Sequence, residues 1–169
     1  MASFLNILSK IFGNKYDKDI KQIAPVVDEI NKQYEHLNNL THDELRNKTI
    51  NFRQQINDFI STEKTEIQRL KERAKSKETN SEEKEKIYKQ IDNLENTVLK
   101  KIEEILNTIL PSAFAVVKET ARRFSENESI IVTASDNDKE LAAKKDFVSI
   151  NGDKALYTTT WDAAGTKIK

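Results

Sequence analysis

Apolar residues recur every three or four positions along most of the chain, which is the spacing of one face of an α-helix. The first such stripe comprises Phe4, Leu5, Leu8, Ile11 and Phe12, and polar residues including Lys10 occupy the opposite face. The pattern predicts a short amphipathic helix. Such a helix either packs on its own domain or contacts a membrane surface or a partner groove, and the pattern alone favours packing.

Two further helices are predicted before residue 61. A stripe from Ile20 to Leu37 predicts a long helix that Pro25 either kinks or divides, because proline lacks the N–H and crowds the preceding turn. Thr41 and Glu44 then have the spacing of a capping box, in which each side chain bonds the other residue's backbone N–H. We therefore expect a helix to begin there and to continue to about residue 60.

The segment 61–101 differs from its surroundings because half of its residues are charged, in nearly equal numbers of each sign. One apolar stripe continues to Ala74, and a second runs from Ile87 to Ile109. Between them, residues 79–81 are of types that favour helix caps. The two stripes predict an antiparallel helical hairpin, and the alternative is a solvated charged linker.

A further helix is predicted after Leu110 and Pro111. The residue before a proline avoids helical geometry, so this pair either ends the preceding helix or starts the next. Apolar residues from Phe114 to Phe124 then share one face. Arg122 and Arg123 follow near the end, where cations favour the helix dipole.

From residue 126 the pattern becomes that of short strands. Residues 130–133 and 146–150 are predicted strands, and Asn151-Gly152 is a hairpin turn signal before a strand at 155–160. A short helix is predicted at 140–145, and 161–169 have no pattern of a closing helix or strand.

The predicted fold is mainly α, with amphipathic helices, a long antiparallel helical hairpin insertion and a small C-terminal β-hairpin. We divide the chain into N-terminal helices (1–60), the charged hairpin (61–109), a scaffold helix (110–125) and a small β-hairpin region (126–169).

Charge and composition exclude several kinds of protein. The 28 basic residues equal the 28 acidic residues, so no excess of positive charge favours nucleic acid. No apolar run approaches the roughly 20 residues that span a bilayer. With no cysteine and three scattered glycines, disulfides, thiolate metal sites and a Gly-rich phosphate loop are all excluded.

The residues that carry chemistry do not assemble into a predicted active site. His36 and His42 flank a predicted helix break, so we expect both at the surface. The carboxylates lie in helices of mixed charge, where solvated i,i+4 pairs explain them better than a catalytic dyad does. The residues alone therefore indicate an interaction module or a fragment, with no catalytic, cofactor or metal site.

Three segments resemble the amino-terminal part of the SecA family, the ATP-driven motors of bacterial protein export. The first is the stripe from Phe4 to Phe12, with the basic stretch after it. The second, residues 40–53, is similar to the family pattern L-(S/T)-D-E-E-L-x-x-K-T-x-x-F-R. The third, residues 110–123, is the most specific and resembles L-P-E-A-F-A-V-V-R-E-A-x-x-R.

The chain also departs from the family pattern. Residues 61–101 are additional, and 126–169 are additional or divergent, as in SecA proteins of the Bacteroidetes type. The family's adenine-contact and G-K-T motifs would lie downstream. The resemblance thus implies an N-terminal fragment that binds no cofactor and does not hydrolyse ATP, although its parent uses ATP and Mg²⁺.

The resemblance implies roles for the first helix and a set of partners. It implies membrane and channel contact through Phe4, Leu5, Leu8, Lys10, Ile11 and Phe12. The implied partners are the SecYEG channel, acidic phospholipids, preprotein for the parent, and a second copy in a homodimer. The implied location is cytoplasmic, peripheral at the inner face of the cell membrane.

Two other interpretations stay open at this point. The stripe from Ile87 to Ile109 is compatible with a free-standing helical-hairpin adaptor that binds partner helices. Residues 61–101 are alternatively an accessory contact site for preprotein or ribosome, although no sequence feature selects that role.

Overall fold

The computed structural model describes residues 15–168, apart from the side chains at 161–163 and 167. Within that range the chain forms five helices: α1 (Lys15–Glu35), α2 (His42–Phe59), α3 (Ser61–Lys75), α4 (Ser81–Glu126) and α5 (Asp136–Ala142). It also forms five strands: β1 (Ser129–Thr133), β2 (Val148–Asn151), β3 (Lys154–Thr158), β4 (Trp161–Ala163) and β5 (Thr166–Ile168). The prediction of a mainly α fold is confirmed.

The chain divides into two compact units. The first unit contains residues up to Asp43 together with those from Phe114 onward, so it holds α1, the last turns of α4 and the sheet. The second unit contains Glu44 to Ala113, which includes most of α2, all of α3 and the first part of α4.

The core of the second unit is a helical hairpin of α3 and α4, as the two apolar stripes predict. Side chains from both helices bury one cluster, formed by Ile67, Leu70, Ala74, Ile87 and Ile91. Burying an aliphatic side chain of this size contributes roughly 1.5–3 kcal/mol relative to leaving it exposed. This cluster stabilises the hairpin.

The hairpin turn carries the helix cap that its polar residues predict. The side-chain oxygen of Asn80 accepts the backbone N–H of Glu83 at 2.9 Å, which satisfies one free donor at the start of α4. The Thr79 hydroxyl donates to the carbonyl oxygen of Arg73 at 2.8 Å and closes the end of α3. The structure therefore places the break between α3 and α4 at the residues where the sequence predicts it.

The junction of α2 and α3 is a single non-helical residue. Ile60 has φ −109° and ψ 5°, and it is buried. Carbonyl oxygens released by this break accept side-chain donors instead: Asp58 from the Ser61 hydroxyl at 2.8 Å, and Phe59 from Lys101 Nζ at 3.4 Å. Lys101 also pairs with Glu63 at 2.7 Å. A lysine from α4 thus stabilises the junction.

The prediction of a helix boundary at Pro111 is wrong, because α4 runs unbroken from Ser81 to Glu126. An interior proline costs a helix about 3 kcal/mol. Ile109 is buried before the proline and Ala115 after it, so packing holds the helix on both sides. α1 likewise continues through Pro25, which resolves the alternative of a divided helix.

The sheet of the first unit is antiparallel, with strand order β1-β3-β2. Ile131 lies opposite Leu156, and Ile150 lies opposite Ala155. Because side chains alternate between the faces of a strand, Ile130 and Val132 of β1 point to one face, where they form a buried cluster with Ala155. The predicted strands are confirmed.

The hairpin turn is shifted by one residue from the predicted Asn151-Gly152. Asn151 pairs with Lys154, so the two-residue turn is Gly152-Asp153. Gly152 takes φ 59°, while Asp153 keeps a negative φ. Positive φ at the first turn position alone is typical of a type II′ turn, which requires glycine there.

Two predictions near the end of the chain need correction. The short helix is α5, at Asp136–Ala142, because Ser135 and Asp138 form a capping box that starts it earlier than the predicted 140–145. The expectation of no strand after 160 is wrong, since β4 and β5 form a hairpin. Ala164 and Gly165 take φ 54° and 86° at its turn, and alanine gives no sequence signal for that conformation.

Candidate functional site

The sequence-predicted contact residues lie outside the described part of the chain. They are Phe4, Leu5, Leu8, Lys10, Ile11 and Phe12. Their role in membrane or channel contact stays a prediction.

α1, which follows these residues, is exposed from Lys15 to Asp28 and half-buried only at residues of its last two turns. None of its 21 residues is buried by the part of the chain that the structure describes. Its apolar stripe is open to solvent at Tyr16, Ile20, Ile23 and Val27. The helix is therefore placed by contacts near its carboxyl end.

A buried arginine from α4 contacts the segment that follows α1, and we name its surroundings the Arg123 clasp. Arg123 Nη2 donates to the carbonyl oxygens of Leu37 at 3.2 Å and Leu40 at 2.7 Å. Nη1 lies 3.1 Å from His42 Nδ1. The clasp comprises Glu119, Arg122, Arg123, Leu37, Leu40 and His42.

The partner that balances Arg123 is Glu119, which is fully buried one turn earlier on the same helix. Its Oε1 accepts from Arg123 Nε at 2.7 Å, and Arg122 donates to both of its oxygens. Hydrogen bonds from Arg122, and then from Arg123, lower the pKa of Glu119 to about 2. The carboxylate is therefore ionised throughout the physiological range.

His42 takes a role in the clasp that differs from the expected surface position. It is half-buried, whereas His36 is exposed as predicted. Because a guanidinium has no acceptor, Arg123 is the donor and His42 Nδ1 must accept.

Two neighbouring contacts join the elements of the first unit. The Asp43 carboxylate accepts from the backbone N–H and the hydroxyl of Thr133, both at 2.8 Å, and so attaches the start of α2 to the edge of β1. On the other side, Lys118 Nζ donates to Asn31 Oδ1 at 2.9 Å and lies 4.3 Å from the ring centroid of Tyr34.

A second buried carboxylate lies beneath the sheet. Asp138 is fully buried and accepts from the backbone N–H of Ser135 at 2.7 Å and from its hydroxyl at 2.8 Å. The Tyr157 hydroxyl from β3 also donates to it. Since its donors come from a helix cap and a strand, Asp138 holds α5 against the sheet.

Neither a metal centre nor a membrane span is found among residues 15–168. No group of three or more His, Asp or Glu side chains described there is arranged to hold a metal ion. The helices in the same range are too short or too polar to cross a bilayer. What this arrangement can do chemically is bind and position helices.

Comparison with known families assigns the chain. The family model of the SecA DEAD-like domain matches residues 8–133, which is more than half of the sequence. The chain belongs to the SecA family. The match includes the Arg123 clasp and β1, and it confirms the resemblance seen in the three sequence segments.

The chain is similar to several proteins named protein translocase subunit SecA. It is 45% identical over 161 residues to that of Porphyromonas gingivalis, covering 95% of this chain and 14% of the relative. It is 47% identical over 163 residues to that of Phocaeicola vulgatus, covering 96% and 15%. For Flavobacterium psychrophilum the identity is 42% over 167 residues, covering 98% and 15%.

The relatives align along nearly the whole chain. Alignment over 95–98% of the chain includes the hairpin at 61–109 and most of the sheet region. The chain spans only 14–15% of the length of these relatives. No solved structure gives a significant match.

Sequence reasoning missed the Arg123 clasp, although it singled out the segment that contains it. Glu119 and Arg123 have the i,i+4 spacing that pairs opposite charges on a helix. From the sequence, Arg123 is interpreted only as a cation that interacts favourably with the dipole of its own helix. Its acceptors lie at Leu37 and Leu40, far earlier in the chain, and no local pattern indicates that contact.

Proposed function

We propose that the chain is the part of a SecA-like protein translocase subunit that supplies scaffold helices and a membrane- and channel-contact helix. Its parent would couple ATP hydrolysis to the export of preproteins through SecYEG. The observation that carries this proposal is alignment of 95% of the chain to a protein translocase subunit SecA at 45% identity.

The clasp and the apolar stripes suit a scaffold role. α4 holds α1 and the segment after it through Lys118 and Arg123, and β1 holds the start of α2 through Asp43. ATP and Mg²⁺ belong to the parent in this proposal, since three separated glycines provide no phosphate loop here. The chain would act in the cytoplasm, at the inner face of the membrane.

The contact helix is proposed from its sequence pattern. An apolar face with Phe4, Leu8 and Phe12, next to Lys10 and Lys15, is typical of helices that bind anionic bilayers in the interfacial plane. Acidic phospholipid is therefore the proposed direct partner, together with the SecYEG channel. Homodimer contacts through the same residues are a further expectation of family membership.

Sedimentation with vesicles tests the contact helix. We expect the chain to sediment with vesicles containing acidic phospholipid and not with neutral vesicles. Leu8→Glu should reduce binding at least tenfold, because it introduces a charge into the apolar face. Asn6→Glu adds the same charge to the polar face and should reduce binding far less. Equal binding by both variants would refute the proposed contact face.

The alternative of a free-standing adaptor loses its main argument. It rested on the stripe from Ile87 to Ile109 as a surface for partner helices. Ile87 and Ile91 are instead buried within the hairpin's own cluster, and Ile109 is buried as well.

The accessory role of residues 61–101 is tested by deleting them from a full-length relative and measuring preprotein export. Unchanged export would mean that the hairpin is a structural insert.

A further inference from the structure

The position of α1 depends on its last turns and on the segment that follows it. Residues from Lys15 to Asp28 are exposed in the part of the chain that the structure describes. Contacts with α4 occur further along, where Lys118 meets Asn31 and Tyr34. A helix that buries so little surface gains little stability from packing.

The segment after α1 is held more firmly than α1 itself. Leu37 is 6% exposed, and its N–H donates to the Tyr34 carbonyl at 3.0 Å. The Leu40 N–H donates to the Leu37 carbonyl at 3.1 Å. The carbonyl oxygens of Leu37 and Leu40 also accept hydrogen bonds from Arg123. One guanidinium therefore fixes the segment after α1, which we call the base of the helix.

The charges of the clasp would remain paired if this segment moved away. Glu119 and Arg123 lie on the same helix, and their ion pair depends on no residue of α1. Detaching the segment breaks the two carbonyl bonds to Arg123 and exposes Leu37. No buried carboxylate loses its partner in this change. Loss of one partner is what makes opening a buried ion pair costly.

We propose that α1 is a releasable arm and that Arg123 is the positioning residue that latches its base. In the released state α4 and the sheet keep their structure, while α1 and the residues up to Leu40 detach together. The predicted contact residues 4–12 are joined to the far end of this arm. Use of the released arm at a membrane rests on the proposed function above, whereas release itself does not.

Native-state hydrogen exchange on the whole chain tests the arm. We expect the amides of α1 and of residues 36–40 to exchange together, at least a hundredfold faster than the most protected amides of β1 and β3. Exchange of both groups at the same rate in the unmutated chain would overturn the proposal, because it would mean that α1 opens only with the whole unit.

Substitutions in the latch and in the sheet separate release from general stability. Arg123→Lys keeps the charge beside Glu119 but loses the planar fork. Because it weakens contacts of the native state, it should speed exchange in α1 and residues 36–40 at least tenfold, and amides that exchange only by global unfolding should follow. Lys118→Met should speed exchange in α1 by a smaller factor. Unchanged exchange in α1 and residues 36–40 for Arg123→Lys would overturn its role as a latch. Val132→Ala weakens the sheet in the native and the released states alike, so faster exchange of α1 in that variant would overturn separate release.

The outcome is independent of vesicle binding. Exchange is measured without lipid, so selective opening of α1 would stand even if Leu8→Glu failed to alter sedimentation. Conversely, if α1 did not open separately, the proposed contact face would still be tested by sedimentation.

Discussion

Individual residues in the first unit combine structural tasks that their types alone do not reveal. Arg123 places one charge against Glu119 and uses its remaining donors on the backbone of a distant segment. Hydrogen bonds from Arg122 and Arg123 hold the pKa of Glu119 well below its ordinary value. The stability of this unit should therefore depend on pH through Glu119.

The sign of that dependence follows from the direction of the shift. The pKa of Glu119 falls from an ordinary 4.5 to about 2 on folding. A lowered folded-state pKa adds stability that is complete above pH 4.5 and is lost as pH falls toward 2. At 1.4 kcal/mol per pKa unit, the contribution is on the order of 3 kcal/mol.

Replacing Glu119 should remove this pH dependence. We expect Glu119→Gln to lower the free energy of unfolding above pH 5 by on the order of 3 kcal/mol, with the difference from the unmutated chain shrinking toward pH 2. Urea unfolding followed by circular dichroism from pH 2 to 7 measures it. Glu140→Gln, at an exposed position on α5, is the matched control. A constant difference across pH would contradict the assignment.

At the scale of elements, the long helix α4 is the least expected feature. Local rules place a boundary at Pro111, yet the helix continues because Ile109 and Ala115 are buried on either side of it. By contrast, the sequence between α2 and α3 contains no glycine or proline, yet Ile60 interrupts the helix. Packing overrides local preference at both points.

The cost of the interior proline is measurable. Pro111→Ala restores one helical hydrogen bond, so we expect a gain in the free energy of unfolding on the order of 2 kcal/mol, after allowing for a more flexible unfolded chain. Pro25→Ala serves as the control, since α1 buries no residue in the described chain and the change should raise helicity with little effect on the global midpoint. A loss of stability in Pro111→Ala would mean that the proline ring is needed for packing.

At the scale of the whole molecule, the charge-rich hairpin lies within the family match, and most of the small sheet lies beyond it. The family match ends at residue 133, while relatives align along nearly all of the chain. The strands after β1 are therefore shared with the aligned SecA relatives although the family match does not reach them. The ion pairs of the hairpin are mostly exposed and contribute little to stability individually.

The chain by itself should not hydrolyse ATP. Phosphoryl transfer needs backbone and lysine groups that cradle the phosphates, and the three glycines are too far apart to form such a loop. Phosphate release from MgATP, with a full-length SecA relative as the positive control, measures this. Release above background by the chain alone would refute the expectation.

Amphipathic spacing by itself determined the helical hairpin, the strand segments and the mainly α class, because helices and strands bury faces of different period. Three short segments determined the family. The path of α4 through Pro111, the break at Ile60 and the Arg123 clasp were decided only by tertiary structure. Each depends on groups distant in sequence, such as Arg123 with Leu37 or Lys101 with Phe59, whose contacts outweigh the local preference of the chain.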